Sequence, residues 1–178
     1  MLVLLFSLMF SPVQAADLAG VSMDDTVELG GKSLVLNGMG LREKYFIDVY
    51  VGGLYLPQKT TSETTAIDDD VPKRLLMHFV YSKVTKDQLV ETYNEGLEKV
   101  PNGVAVMPKF NNLYEMLSDV KRGDRIGFDY VPGQGTEISV RGEKKGTIEG
   151  VDFMRAMWGI YLGTSPPTAK LKRGLLGQ

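Results

Sequence analysis

No cysteine occurs among the 178 residues. Disulfides, thiolate nucleophiles and cysteine-ligated metals are therefore excluded. There is one histidine, His78, so multi-histidine metal sites are excluded as well. Any serine–histidine–acid triad would have to use it. It lies on a strand face between Leu76 and Val80, where a lone histidine reads as a half-buried structural residue. The phosphate-binding GxxxxGK[ST] loop, a GxGxxG opening a helix after a strand, HExxH and GxSxG are all missing. No cofactor and no metal is expected. The net charge is −2, too small and of the wrong sign to draw the chain to nucleic acid. Asp68-Asp69-Asp70 reads as a solvated charge run, because adjacent carboxylates in a loop rarely converge on one ion.

Charge is also missing from residues 1–15, MLVLLFSLMFSPVQA, although the segment is almost wholly apolar. It is shorter than the roughly 20 apolar residues that span a bilayer. Pro12 breaks it, and Val13-Gln14-Ala15 puts small residues where a signal peptidase reads. The expectation is a cleaved export signal over 1–15, a periplasmic protein, and no stable membrane insertion of the mature chain. An uncleaved membrane anchor is the rival. Residues 16–178 are read as one domain, long enough to bury a core.

The mature chain is expected to begin with a polar, flexible stretch, Ala16–Asp25. Short strands over Thr26–Leu29 and Lys32–Leu36 flank Gly30-Gly31, a hairpin dipeptide. Gly38–Pro57 is the longest run of strand-forming residues. Its odd positions, from Leu41 through Val49 and Val51 to Tyr55, make an apolar face. Its even positions make a mixed face carrying Arg42 and Tyr50. Thr60–Asp70 holds at most a short helical turn capped by Ser62, and Lys73–Tyr81 reads as a central strand.

Thr85 and Gln88 have the spacing of a capping box, which starts a helix with Leu89, Thr92, Tyr93, Gly96 and Leu97 on one face. Pro101-Asn102-Gly103 stops it, and a second helix is expected over 109–120. Strands over Arg125–Val131, Thr136–Val140 and Lys144–Glu149 form a meander, with Arg141–Gly146 as a charged hairpin tip. Helices over Val151–Leu162 and Pro167–Leu176 close the chain. The class is α+β: a largely antiparallel sheet with helices on one face.

Two stretches resemble the chalcone isomerase family. The run from Lys145 to Gly177 carries Gly146, Ile148, Gly150, Phe153, Ile160-Tyr161-Leu162-Gly163, Pro166, Leu171-Lys172 and Leu175-Leu176-Gly177. The second is LNGMGLREKYFIDVYVGGLYL, Leu36 to Leu56. The resemblance covers residues 31–177 and is closest to the exported bacterial chalcone-isomerase-like branch. It implies an open-faced β-sandwich, a long curved antiparallel sheet covered by a layer of helices, with a ligand cleft between them. Plant members of that family cyclise chalcones; plastid relatives bind fatty acids without catalysis.

Aligned on those motifs, Arg42 matches the family's catalytic arginine, and Tyr50 stands where the fatty-acid-binding relatives also have tyrosine. The tyrosine and asparagine of the enzymes fall near Gln88 and Glu95, or on Tyr93 and Asn94 if the alignment slips. The late hydroxyl falls near Ala156. The transition-state donors of the isomerase are thus largely replaced. The implied function is binding of a small amphipathic acid, such as a fatty acid, by Arg42, Tyr50, Tyr93 and Asn94. An intramolecular lyase acting on a phenolic enone, with Arg42 and Tyr50 as donors, is the alternative; a structural or partner-binding domain is the third reading. Met77, Phe79, Leu97, Phe110, Leu113, Met157 and Tyr161 are further candidates to line the cleft. The binding reading carries a geometric condition. Eight residues of unbroken strand span roughly 26 Å, so Arg42 meets Tyr50 only if the chain turns back near Glu43–Lys44.

Overall fold

A computed structural model describes residues 15–178. The expected export signal falls almost entirely on residues 1–14, outside the described residues. The main sheet has seven strands, each hydrogen-bonded to its sequence neighbour and all antiparallel. They are β3 (Thr26–Leu29), β4 (Lys32–Lys44), β5 (Ile47–Leu56), β6 (Lys73–Phe79), β7 (Arg125–Val131), β8 (Gly135–Val140) and β9 (Glu143–Ile148). The sheet is curled into a half-barrel. Five helices accompany it: α1 (Glu63–Asp68), α2 (Lys86–Leu97), α3 (Gly103–Met116), α4 (Val151–Leu162) and α5 (Ala169–Leu175). The expected α+β class and sheet-and-helix layering are what the chain forms.

The run expected as one long strand is two. It breaks at Tyr45-Phe46, and β4 and β5 pair as a long hairpin. The turn itself inverts the expected parity, pairing Lys44 with Ile47 and Glu43 with Asp48, and the bulge at Val49 restores it from Tyr50 onward; Ile47 and Val49, expected on the apolar face, therefore stand on the same side as Arg42 and Tyr50. Leu41, Val51 and Tyr55 share one face of the sheet, and Tyr50 and Leu54 share the other. The mixed face is the one turned toward the helices. There Phe79, Met77, Phe128 and Ile138 of the sheet pack against Leu89, Tyr93, Phe110 and Phe153 of the helices. Helix α4 touches α1, α2, α3 and α5. It is buried on nearly every side, as its apolar run from Ala156 to Leu162 requires.

The expected flexible start is instead ordered. β1 (Ala15–Leu18) and β2 (Val21–Asp24) form a separate hairpin. Val21 and Met23 are buried against Leu34, Leu36, Val51 and Tyr55, covering the face away from the helices. The Tyr55 hydroxyl donates to the Asp24 carbonyl at 2.9 Å. The second helix also differs from the expected 109–120. It starts at Gly103 and ends at Met116, with Pro108 inside it. Pro108 forfeits one helical hydrogen bond. Burial of Val106, Phe110, Leu113 and Tyr114 on one face holds the helix regardless.

Other local expectations hold. The Thr85–Gln88 capping box is formed in both directions, and Ser62 caps α1. Helix α5 lies directly on β4. A side chain at Gly40 would strike the Leu171 carbonyl, and one at Gly174 the Met39 carbonyl. Glycine at these positions is what lets helix backbone touch strand backbone. Asn37, the extra residue of a bulge between Leu36 and Gly38, is buried beside this contact. Its amide donates to the Leu175 carbonyl at 2.7 Å and accepts from the Thr60 amide at 2.7 Å.

Candidate functional site

The β4–β5 hairpin sets Arg42 directly opposite Tyr50 in the register. A bulge follows immediately, with Val49 as the unpaired residue. The Val49 carbonyl accepts from both Val80 and Tyr81 at 2.9 and 3.1 Å, which fastens the end of β6 to the hairpin. Helix α2 crosses above. Between them opens a cleft of about 360 Å³, at the small end of the range for ligand sites.

The cleft has a polar end and an apolar one. Arg42, Tyr50, Tyr93 and Tyr161 bring four polar groups together, with Met77 beside them. The Tyr161 hydroxyl lies 3.2 Å from both the Tyr93 hydroxyl and the Met77 sulfur. The apolar walls are Ile47, Val49, Val84 and Leu89, with Phe79 beside Tyr50. Lys44, Tyr45, Tyr81 and Lys83 stand around the mouth.

Burial sets the protonation of the tyrosines. It pushes the Tyr50 phenol well above its ordinary value; Tyr161 adds to the shift and the Arg42 guanidinium opposes it. Tyr161 and Tyr93 are shifted upward for the same first reason. All three are neutral O–H groups at physiological pH and can donate to an anion. Arg42 is half-buried and spends one N–H on the Glu43 carbonyl at 2.5 Å. A guanidinium beside neutral phenols under an apolar wall suits a carboxylate attached to a hydrocarbon.

Arg42, Tyr50 and Tyr93 are therefore brought together; Asn94 is not. Its carboxamide oxygen accepts from the Tyr114 hydroxyl at 2.7 Å, tying α2 to α3 outside the cleft. Helical geometry accounts for this, since consecutive helix positions point about 100° apart. Gln88 reaches the cleft rim, but its side chain is held by the capping box. Glu95 is exposed, and Ala156 borders a different groove. Of the further lining candidates, Met77, Phe79 and Tyr161 reach the cleft, whereas Leu97, Phe110, Leu113 and Met157 are core. Val49, Val84 and Leu89 line the cleft as well: the bulge brings Val49 round from its expected face, and Leu89 lies on the same helix face as Tyr93.

His78 lies on the opposite face of the sheet. Its Nδ1 accepts from the Arg125 Nε at 3.2 Å, and burial and that guanidinium lower its pKa. Asp70 accepts from the Tyr130 hydroxyl at 2.5 Å. Among the described residues no histidine and carboxylate group could hold a metal ion, and no helix is long and apolar enough to cross a membrane. A larger open groove between α3 and β9 mixes Lys109, Arg141 and Lys145 with Glu115 and Glu149, so it offers no consistent ligand chemistry.

A family model described as chalcone isomerase-like matches residues 15–177. The chain belongs to the chalcone isomerase-like family. A crystal structure of an Arabidopsis thaliana fatty-acid binding protein superimposes with a TM-score of 0.72 at 19% identity. The match covers 92% of this chain and 96% of that one, so the fold is shared nearly end to end. No curated protein sequence matches. Within the chalcone isomerase-like fold, the Arg42–Tyr50 cleft lies between sheet and helices, where the family resemblance locates its ligand.

Proposed function

We propose that this protein binds a small amphipathic acid, of the fatty-acid type, without transforming it. One observation carries the reading: Arg42 and Tyr50 face each other in a cleft whose walls also carry Ile47, Val49, Phe79, Val84 and Leu89. The carboxylate accepts from the Arg42 fork and from the phenol of Tyr50. The hydrocarbon tail runs past Val49, Val84 and Leu89 toward the mouth. The likeness to a solved fatty-acid binding protein supports this choice of ligand. The engaged Gln88, the exposed Glu95 and the apolar Ala156 support binding over the isomerase alternative, since none offers a donor where enolate charge would develop.

The apolar, uncharged residues 1–15 support the further reading that this is an exported, periplasmic member of the bacterial branch. The mass of the amino-terminal peptide of the protein recovered from its native host tests that part: cleavage after Ala15 or Ala16 is expected, and an intact Met1 would overturn it.

Native mass spectrometry followed by solvent extraction tests the ligand. A co-purifying carboxylic acid that is lost in Arg42→Ala, with the fold intact by circular dichroism, is the expected result. A tenfold excess of lauric acid that leaves the protein unbound would overturn the reading. Accelerated loss of a chalcone absorbance, abolished in Arg42→Ala, would replace it with the isomerase.

A further inference from the structure

Among the described residues four hairpins turn in two residues, and all eight turn residues have positive φ. Three of the turns use glycine: Ala19-Gly20, Gly30-Gly31 and Arg141-Gly142. The fourth, at the tip of β4–β5, is Tyr45-Phe46, with φ of 50° and 65°. Bulky residues are disfavoured there, and Asn-Gly is the local solution. A departure from local turn chemistry that brings no packing in return points to function. Nothing packs on this tip. Phe46 is fully exposed, Tyr45 is 84% exposed and Ile47 45%.

Three further observations say what the tip meets. First, it borders the mouth of the cleft, since Tyr45 and Ile47 line its outer end. Second, the exposed tip residues are flanked by charge that is not paired within the hairpin, Lys44 on one strand and Asp48 on the other. Lys44 sits 6.0 Å from the Tyr45 ring and makes no ion pair among the described residues. Glu43 is engaged by Lys170 at 2.7 Å, and Lys83 at the mouth is held by Asp119 at 2.9 Å. Asp48, opposite Glu43, is the one exposed carboxylate of the hairpin without such a partner. Third, Arg42 and the buried phenols lie inside the cleft, and Ile47 and Val49 continue its apolar wall outward to a mouth flanked by Lys44 and Lys83. A fatty acid in a bilayer has its carboxylate at the surface and its tail below. A cleft that takes the carboxylate first and leaves the tail nearest the mouth can load only from that side.

We propose that the Tyr45–Phe46 hairpin tip docks on the surface of a phospholipid bilayer and brings the mouth of the cleft to the lipid from which its ligand is drawn. Aromatic rings flanked by lysine suit the interfacial layer, where the ring is buried and the polar part stays hydrated. The occupant is the bilayer and not a second copy. An apolar ring on a single hairpin tip is a small insertion, and Lys44 against Lys44 across a twofold contact would repel.

The test uses the mature chain with vesicles of phosphatidylcholine alone and of phosphatidylcholine mixed with phosphatidylglycerol. Sedimentation is expected with both, because the rings carry the binding and the unpaired Asp48 offsets the attraction of Lys44 to the anionic mixture. Phe46→Gly should lower vesicle binding roughly tenfold through the lost ring. Its fold should remain, because glycine accepts that φ freely. Phe46 is not part of the cleft lining, so the affinity for free lauric acid should be unchanged. Wild-type protein that sediments with neither vesicle would overturn the proposal. So would a Phe46→Gly variant that binds vesicles as well as wild type, or a wild-type dimer in solution that Phe46→Gly dissolves. The proposal draws its direction of loading from the fatty-acid reading, and the two fail separately. Vesicle binding without lauric acid affinity removes the cleft reading and keeps the docking surface; lauric acid affinity without vesicle binding does the reverse.

Discussion

Arg42 and Tyr50, eight residues apart in the chain, stand directly opposite each other on adjacent antiparallel strands. The pairing depends on a two-residue turn at Tyr45-Phe46 together with the bulge at Val49. Without the bulge, Arg42 would lie across from Val49. The bulge thus selects which side chain shares the polar end of the cleft with the guanidinium.

Arg42→Ala should weaken fatty-acid binding by about 1.5–3 kcal/mol, the value of a charge-assisted hydrogen bond. Arg42→Lys should recover only part of it, because the ammonium lacks the planar fork. Acyl chains lengthened one methylene at a time should gain about 0.8 kcal/mol each until the cleft is filled. Isothermal titration across the series measures both terms. If head and tail are held independently, the gain per methylene is the same in Arg42→Ala as in wild type. A slope that collapses in the variant would mean the tail does not occupy the cleft on its own account.

The buried tyrosines predict a loss of stability in alkali. Their native pKa values lie above the ordinary 10, chiefly through burial. Below pH 10 both folded and unfolded chains keep these protons. Above it the unfolded chain releases them and the folded chain does not, so folding weakens as pH rises. The cleft tyrosines should therefore form tyrosinate only as the chain unfolds, so their absorbance change should coincide with the loss of circular dichroism. A single smooth titration of all eight tyrosines at constant circular dichroism would contradict their burial.

Lys73 acts in the opposite direction and at lower pH. It is fully buried, and its ammonium donates to the Ala66 carbonyl at 2.9 Å at the end of α1 and faces the Trp158 ring at 5.9 Å. Burial lowers its pKa from 10.5 to about 8, with Asp69, Asp68 and Asp70 resisting. Below pH 8 both states are protonated. Between about 8 and 10 the folded chain has lost a proton that the unfolded chain still holds, so stability rises with pH. Urea midpoints of the wild type should climb across this window, and those of Lys73→Met should stay flat. A wild-type midpoint unchanged from pH 7 to 10 would show that the amine does not feel its burial.

Much of this architecture was legible where residue chemistry is local. The Thr85–Gln88 box, the Gly30-Gly31 turn and the alternation from Tyr50 to Tyr55 each carry their own cause, whereas Ile47 and Val49 leave the face that alternation assigned them because of the turn and the bulge. The break at Tyr45-Phe46 was not legible, because neither residue belongs to the turn formers; only the need to bring Arg42 beside Tyr50 pointed to a reversal, placed two residues early. The start of α3 was hidden by Pro108, whose penalty is outweighed by burial that no local window displays. The order of β1–β2 was hidden too, since Val21 and Met23 are two isolated apolar residues until the outer face of β4 and β5 gives them a surface. Asn94 failed for a different reason: a one-residue shift on a helix turns a side chain by about 100°, so the alignment that carried Tyr93 into the cleft carried Asn94 out of it.

The contact of α5 on β4 gives the sharpest test of the fold. At Gly40 an added methyl group meets the Leu171 carbonyl, which is backbone and cannot move without shifting the helix. At Gly52, on the neighbouring strand, it meets only the ends of the Leu171 and Leu175 side chains, at 3.2 and 3.3 Å. Both changes add one methyl group to a strand in the same sheet, so propensity and entropy nearly cancel between them. Gly40→Ala should cost about 1–3 kcal/mol or more of stability, the range for overpacking, and Gly52→Ala clearly less. Chemical denaturation of the two variants decides it. Equal losses would mean that the helix rides on side chains instead of backbone. The tether from Asn37 to the Leu175 carbonyl would then be the main hold on the C-terminal helix, and Asn37→Ala should become the more damaging substitution.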